Sequence, residues 1–352
     1  MVVAGVDCHK DTHTIVFLNE LGQVEQRLSI PATGRGYAKA LEASRQYGEV
    51  RWGLEGTGSY GALFAQQLIA SGATVYEVPG SFTKRHRQHG SRRGKSDPID
   101  AAAIAEAVLR EADRLPLFGA AVEQQALRLR YDRRDRLVAE RTRAINRLRS
   151  AALRLGLEDV PDTLKAPEIE QLHHRAKRLA GANPAIDALV DEIAEAREDI
   201  ERCTMRVRRI EQLLRPFVTR IAPELLALKG ISTVGAAGLI GHAGNLRNCR
   251  NASAFAMRSG TAPIPCSSGR REALRVNCGG DRQLNRILHV MALTQVRYAD
   301  HAGRIYYDRK RKEGKTHAAA FRSLKRQLAT VVFYRLQPCH QRLWSADSRT
   351  AA

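Results

Sequence analysis

Apolar residues in the N-terminal part of the chain follow two spacings, which together predict a mixed α/β domain. Short apolar runs rich in β-branched residues and bounded by turns predict strands over residues 1–6, 13–19, 24–30, 50–55 and 73–78. Apolar positions three and four residues apart predict helices over residues 36–47 and 60–70. The order is thus β-β-β-α-β-α-β, with a further helix from about residue 97. Antiparallel strands followed by parallel strands are the arrangement of the ribonuclease H fold, predicted here over residues 1–122.

Two long helical patterns follow, over residues 124–157 and 184–214. Their apolar seams are Val138, Ile145, Leu148, Ala152 and Leu155 in the first and Ile186, Leu189, Val190, Ile193, Ile200 and Ile210 in the second. Antiparallel helices with apolar seams and charged flanks are typical of a coiled-coil hairpin. We therefore predict a coiled-coil helical arm over residues 123–215, which serves packing or dimerisation. The arginines of its first helix, among them Arg128, Arg134 and Arg141, add a nucleic-acid interpretation.

Pro216 and Pro223 mark the entry to a mostly α-helical C-terminal domain, predicted over residues 216–340 with a tail at 341–352. Residues 228–241 resemble a helix-hairpin-helix, in which a glycine turn between two helices presents backbone amides to a phosphate. A plain helix-turn-helix pair in a core gives a similar string, so both interpretations stay open. A final helix is predicted over residues 317–336.

The strongly positive net charge of the chain indicates which class of partner it binds. Lys and Arg number 57 against 37 Asp and Glu among 352 residues, a net charge of +20 that indicates a polyanion such as nucleic acid. Aromatic residues make up only 5%, which argues against single-strand binding by base stacking alone. No long apolar stretch predicts a membrane span, and the six cysteines form no Cys-x-x-Cys pair. We expect a reduced, cytoplasmic protein without a membrane partner.

Four acidic residues are the candidate catalytic and metal-binding groups. Asp7 and Glu55 close predicted strands, while Asp97 and Asp100 lie three apart at the start of a predicted helix. Carboxylates are the ligands that Mg²⁺ prefers, and two such ions about 3.5–4 Å apart serve phosphoryl transfer. Because Pro98 suits a first helical position, Asp97 is alternatively only a helix cap. A zinc site at Cys8, His9 and His13 is the rival interpretation, but it lacks further ligands downstream, so these residues are interpreted as structural or supporting.

Residues 81–96 hold basic side chains and no acid, which predicts a mobile loop that contacts phosphates or is merely solvated. Its candidate nucleic-acid contacts are Lys84, Arg85, Arg87, Arg92, Arg93 and Lys95. A second loop contains the pair Ser267 and Ser268, followed by Arg270 and Arg271. A serine hydroxyl beside cations is able to attack phosphorus, although such a turn is also ordinary loop chemistry. Cys266 competes as a nucleophile, but thiol attack on a phosphodiester is unusual.

Taken jointly and in order, these motifs resemble the insertion-sequence transposases that have an Asp-Glu-Asp-Asp, RuvC-like domain and a serine-bearing C-terminal domain, relatives of the Piv DNA invertases. The resemblance covers about residues 1–337. The segments that carry it are residues 5–13, 54–58, 95–101, 230–241, 259–271 and 277–286.

This resemblance implies a recombinase that cuts and rejoins donor and target DNA. It implies Mg²⁺ held by Asp7, Glu55, Asp97 and Asp100, and a transient covalent link to DNA through Ser267 or Ser268, with Ser267 favoured. It also implies a dimer or tetramer, in which the serine domain of one subunit completes the site of another, and a structured noncoding guide RNA. Two alternatives stay open: a RuvC-like nuclease or junction resolvase without a covalent serine step, and a non-catalytic nucleic-acid-binding protein.

Overall fold

The computed structural model describes residues 1–89, 96–119, 122–266, 274–275 and 277–350. The chain divides into two compact units, Met1–Ala120 and Ala121–Ala352. No helix in the described part of the chain combines the length and apolar character needed to cross a membrane.

The first unit is built on one mixed sheet. Its strands are β1 (Val2–Cys8), β2 (Thr12–Leu18), β3 (Val24–Pro31), β4 (Val50–Leu54) and β5 (Thr74–Glu77). They lie in the order β3-β2-β1-β4-β5. β1 pairs antiparallel with β2, and β2 with β3, whereas β4 runs parallel to both β1 and β5. The mixed sheet predicted from the apolar pattern, antiparallel first and parallel afterwards, is confirmed.

Helices cover both faces of this sheet. They are α1 (Gly34–Ser44), α2 (Ala62–Ala70), α3 (Gly80–His89) and α4 (Asp97–Glu111), with short 3-10 turns at Arg45–Tyr47 and Ala112–Arg114. One face buries an aromatic core around Trp52 and Phe64, and α4 packs on the other face beside Val3. Helix α4 lies so close to β1 that a Cβ on Gly5 would stand 2.1 Å from the carbonyl oxygen of Ala101. This close approach fixes the start of α4 near the end of β1.

The prediction of a loop over residues 81–96 is wrong for its first part, because residues 80–89 form α3. Three of its side chains make specific contacts within the unit. Phe82 packs against the core under α4, and Arg85 and His86 both contact Oε1 of Glu111, at 2.5 and 2.8 Å. These contacts stabilise a helix that a count of charges does not reveal. Residues 90–95 lie outside the described residues.

The second unit is mostly helical. Its helices are α5 (Val122–Arg154), α6 (Ala166–Lys177), α7 (Pro184–Ile221), α8 (Pro223–Leu226), α9 (Thr233–Ala243), α10 (Ala252–Arg258), α11 (Arg282–Val296), α12 (Ala302–Lys312) and α13 (His317–Thr350). A 3-10 turn spans Leu246–Asn248, and β6 (Ile264–Pro265) pairs antiparallel with β7 (Leu274–Arg275). Helix α13 therefore extends well past the predicted end at residue 336.

Helices α5 and α7 pack against each other in opposite directions, as their ion pairs show. Arg134 binds Glu211 at 2.9 Å and Arg147 binds Asp199 at 2.6 Å, so the partner number falls as the α5 number rises. The long helical pair is thus present, and the coiled-coil description stays a prediction. Pro216 does not end the second helix as expected. Helix α7 continues through it to Ile221, because Leu214 and Val218 on either side are fully buried.

The segment predicted as a helix-hairpin-helix contains a turn between α8 and α9. Helix α8 is a single turn of four residues. Gly230 adopts a left-handed φ of +93°, a conformation that favours glycine. Ser232 caps α9 by accepting a hydrogen bond from the backbone N–H of Gly235, and much of α9 is buried. The order helix, turn, helix is therefore present, and phosphate binding by this segment stays a prediction.

Candidate metal centre

The centre of the candidate site is Asp7, near the end of β1. Its side chain is only 14% exposed. Burial raises the pKa of the Asp7 carboxyl above its ordinary value, and the nearby charges of Asp100 and Asp97 raise it further, while His9 lowers it. Asp7 is therefore a carboxylate held among like charges, an arrangement that a cation would relieve.

Asp97 and Asp100 come from the first turn of α4. The helix begins at Asp97, and Ser96 occupies the cap position, so the interpretation of Asp97 as the helix cap is wrong. The Asp97 side chain is 55% exposed and faces His9, whereas Asp100 is buried. Because α4 packs directly on β1, both acids lie within electrostatic range of Asp7.

His9 lies between two of the candidate acids. Its Nε2 atom is 3.1 Å from Oδ2 of Asp7 and 3.4 Å from Oδ1 of Asp97. Ligand atoms of all three residues lie within 4.8 Å of one another, which makes them a possible metal-binding group. The sequence motifs predict only a structural or supporting role for His9, since a spacing of two residues along the chain does not show which acids a histidine meets.

The rival zinc interpretation required His13 beside Cys8 and His9, and the structure contradicts it. His13 is fully buried in the aromatic core, where its ring stacks on Tyr37 with centroids 5.6 Å apart. Its Nδ1 atom is 3.1 Å from the carbonyl oxygen of Thr12. Burial lowers the pKa of His13. A histidine stacked within the core is not available to an ion at the edge of the sheet.

Glu55 follows β4 directly and is held by Thr83, a residue that no sequence motif singles out. The buried hydroxyl of Thr83 donates a hydrogen bond to Oε2 of Glu55 at 2.7 Å. Burial raises the pKa of the Cys8 thiol to about 12, and the charges of Asp7 and Glu55 contribute to the rise. Glu55 therefore belongs to the same acidic surroundings as Asp7. It stands outside the close group formed by Asp7, His9 and Asp97.

The donor set fits a divalent cation. Two carboxylates and an imidazole converge, further carboxylates lie nearby, and Asp7 is destabilised in its ionised form by burial and by its neighbours. Carboxylate oxygens suit Mg²⁺, and an imidazole is also accepted by Mn²⁺ and other transition metals.

Ser267 and Ser268 stand in sequence between β6 and β7 of the second unit, and the described residues that flank these strands are joined by side-chain hydrogen bonds. The Asn285 amide donates to the carbonyl oxygens of Ser259 and Gly260, each at 3.0 Å. The Asn277 amide donates to the carbonyl oxygen of Met257 at 2.8 Å. Cys266 is exposed, and Ser267, Ser268, Arg270 and Arg271 lie outside the described residues.

The other predicted nucleic-acid contacts are spread over both units. Arg92, Arg93, Lys95 and the side chain of Arg87 lie outside the described residues. Lys84 is exposed, and Arg85 is paired with Glu111. Arg128 lies 3.9 Å from Asp132, and Arg134 donates twice to Glu211, whereas Arg141 is partly exposed.

Replacing His9 by Ala is expected to weaken Mn²⁺ or Mg²⁺ binding by about tenfold, because residues that orient metal-binding carboxylates typically contribute this much affinity. Stability should change little, since half of the His9 side chain is exposed. Isothermal titration of each metal measures the effect. His174→Ala, an exposed histidine on α6, is the matched control. Equal affinity in the two variants would remove His9 from the site.

The chain is similar to known transposases and insertion-element proteins. A transposase model of the DEDD, IS110 type matches residues 4–155, and a model described as "Transposase IS116/IS110/IS902 family" matches residues 222–308. The chain is 29% identical to the insertion element IS900 uncharacterized 42 kDa protein of Mycobacterium paratuberculosis, over 96% of each chain. It is 27% identical to the insertion element IS116 uncharacterized 44.8 kDa protein of Streptomyces clavuligerus, over 95% of this chain and 94% of that protein.

Among solved structures, the chain is similar to T. thermophilus RuvC in complex with a Holliday junction substrate. The identity is 15% and the TM-score 0.28, and the match covers 34% of this chain and 99% of that one.

Proposed function

Because the chain belongs to the IS116/IS110/IS902 family of transposases, we propose that it cuts and rejoins DNA strands with the acidic site of its first unit. The observation that carries the proposal is the convergence of Asp7, Asp97 and His9 at one edge of the sheet, in a chain of net charge +20. An acidic cluster on so basic a protein has the character of a cation site that works on a polyanion.

Asp7, Glu55, Asp97 and Asp100 are the residues proposed to hold two Mg²⁺ ions. When bound, such ions supply Lewis-acid stabilisation of the attacking and leaving oxygens of a phosphodiester. His9 contacts both Asp7 and Asp97 and so keeps their carboxylates facing each other. Thr83 donates to one oxygen of Glu55 and restricts its rotation.

We assign the covalent step to Ser267, with Ser268 as the alternative. The serine hydroxyl gives up its proton and its oxygen bonds to phosphorus as the bridging P–O bond to the neighbouring sugar breaks, and the leaving sugar oxygen takes up a proton. A new sugar hydroxyl then loses its proton and attacks the same phosphorus, which breaks the serine–phosphorus bond, returns a proton to the serine oxygen and rejoins the strand. Arg270 and Arg271 follow in sequence and supply positive charge, and Asn285 donates to the carbonyl oxygens of Ser259 and Gly260, which precede β6.

The proposed partners are donor DNA, target DNA, a structured guide RNA and further copies of the chain. The excess of basic residues supports a polyanion partner. In the proposed dimer or tetramer, the serine loop of one subunit meets the acidic site of another.

The covalent step is tested with a donor plasmid that carries the gene between its native flanks. The wild-type chain should form a protein–DNA adduct that survives denaturing electrophoresis, and the Ser267→Ala/Ser268→Ala double variant should lose it. Cys266→Ala is the matched control, because it changes the adjoining exposed nucleophile.

An adduct that persists in the double serine variant contradicts the serine assignment. Cleavage without any adduct would favour a metal-dependent nuclease or resolvase. A chain that performs neither step, with or without Mg²⁺, would be a non-catalytic nucleic-acid-binding protein.

A further inference from the structure

Two adjoining clefts run along α7 in the second unit. The first, of about 800 Å³, lies among α5, α7, α9 and α11, and the second, of about 530 Å³, lies among α5, α6 and α7. Arg208 lines both clefts. Each is of the size that accepts a drug-sized molecule, so together they offer room for more than one nucleotide.

The acids that line the first cleft are already paired with arginines. Arg134 donates to Oε1 of Glu211 through Nε at 3.0 Å and Nη2 at 2.9 Å. Arg286 donates to Oδ1 of Asp135 at 2.6 Å. These pairs leave the remaining two lining arginines, Arg208 and Arg215, as the excess positive charge of the cleft.

Arg208 and Arg215 are both exposed, and neither forms an ion pair with any residue in the described ranges. They are seven residues apart on α7, two helical turns, so they project from the same side about 10 Å apart. Two cations at this separation match a repeating anion better than a single small one.

In the second cleft, too, the lining acids are paired with an arginine and further basic side chains are left in excess. Its lining acids, Glu170 and Glu201, lie 2.9 and 3.9 Å from Nη1 of Arg197. Arg141 and Lys165 line the same cleft beside Arg208, and neither side chain forms an ion pair with an acid among the residues that the structure describes. The backbone N–H of Lys165 does meet an acid, donating to Oε2 of Glu168 at 3.0 Å. Positive charge in excess therefore continues from one cleft into the next.

We infer that these clefts form one track, defined by Arg141, Lys165, Arg208 and Arg215, that holds the sugar–phosphate backbone of a nucleic-acid strand. The guanidinium and ammonium groups donate to phosphate oxygens, and apolar walls that include Val234 and Ile287 face the sugars. The backbone chemistry is shared by RNA and DNA. The inference rests on the proposed function for the identity of the strand, and on the clefts and their charges for its position.

The test compares two double variants of α7 that remove equal charge. Arg208→Ala/Arg215→Ala removes the track arginines, and Arg206→Ala/Arg209→Ala removes exposed arginines of the same helix that line neither cleft. Fluorescence anisotropy in EDTA measures the binding of single-stranded DNA, duplex DNA and an RNA hairpin over a series of salt concentrations. Thermal unfolding of each variant tests whether the chain remains folded.

We expect the track variant to bind at least one probe about tenfold more weakly, with the salt slope reduced by about 1.4 to 1.8 for two lost phosphate contacts. The control should stay within about twofold of wild type. If the track variant loses affinity for RNA alone or for DNA alone, the result supports the proposed track and identifies which nucleic acid it binds. Equal losses in both variants, or no binding of any probe by the wild-type chain, would overturn it.

A poly-glutamate probe separates a nucleic-acid track from a general anion site. If it binds with the same dependence on Arg208 and Arg215, the assignment to a nucleic-acid backbone is overturned. Since EDTA excludes cleavage, the result is independent of the catalytic proposal. A chain that binds through the track but never cuts DNA with Mg²⁺ contradicts the proposed function alone.

Discussion

Asp7→Asn should abolish metal-dependent DNA cleavage, by about a thousandfold or more, without lowering the stability of the metal-free chain. Asp7 is the residue of the site that contacts His9 and also lies within range of Asp97 and Asp100. An amide has nearly the same shape as the carboxyl but no charge, so it removes the proposed cation ligand at the centre of the group and leaves the packing intact.

The sign of the Asp7 pKa shift determines how this carboxyl affects the stability of the folded chain. The pKa of Asp7 in the folded chain lies above its ordinary value of 3.8, because burial and neighbouring acids disfavour the ionised form. Ionised Asp7 therefore lowers the free energy of unfolding of the metal-free chain above that pKa, and this stability returns as the pH falls through it. Asparagine carries no charge, so the Asp7→Asn variant does not lose this stability at any pH. We thus expect an equal or higher Tm for the metal-free variant.

With Mg²⁺ present, the wild-type chain should have a higher Tm than Asp7→Asn. A ligand that binds only the folded chain raises its stability by mass action, so wild type should gain Tm with Mg²⁺ and Asp7→Asn should gain little. Protons compete with the cation for Asp7, so wild-type cleavage should decline on acidification at a pH above 3.8.

Asp11→Asn is the matched control, since it removes the same charge from an exposed position beside β2. Plasmid cleavage and thermal unfolding with and without Mg²⁺ provide the measurements. Cleavage retained in Asp7→Asn, or lost equally in Asp11→Asn, would exclude Asp7 from the site.

Gly5→Ala is expected to destabilise the first unit by about 3 kcal/mol or more and to disrupt the acidic site. The added Cβ would lie 2.1 Å from the carbonyl oxygen of Ala101 and 2.3 Å from the backbone nitrogen of Ala105. Both are backbone atoms of α4, so no change of rotamer relieves the overlap. The helix must move away from β1, and Asp97 and Asp100 move with it.

Gly58→Ala is the control, because its added Cβ meets no heavy atom within 4 Å in the described structure. Urea unfolding measures the stability of both variants, and the Tm gained with Mg²⁺ reports on the site. Equal stability of the two variants would show that α4 does not pack as closely on β1 as described. Lost stability with an unchanged Mg²⁺ response would contradict the link between this packing and the site.

The amino-acid sequence determined the elements of the first unit and the positions of its acids. Alternation and three-to-four spacing are local properties, so β1 to β5, α1 and α2 were predicted within a few residues. Asp7 and Glu55 were recognised because strand ends can be read locally. The transposase family was recognised from several motifs in order, none of which is specific by itself.

The tertiary structure decided which distant residues meet. Thr83 holds Glu55 across 28 positions of sequence, and His9 faces Asp97 only because α4 packs on Gly5. Helix α3 was missed because its contacts, among them those of Arg85 and His86 with Glu111, join residues far apart in the chain. Likewise, the charge of the clefts depends on which acids each arginine of α5 and α7 neutralises. Local patterns fix how a segment folds, whereas these contacts arise from the packing of segments far apart in the chain, which no local pattern contains.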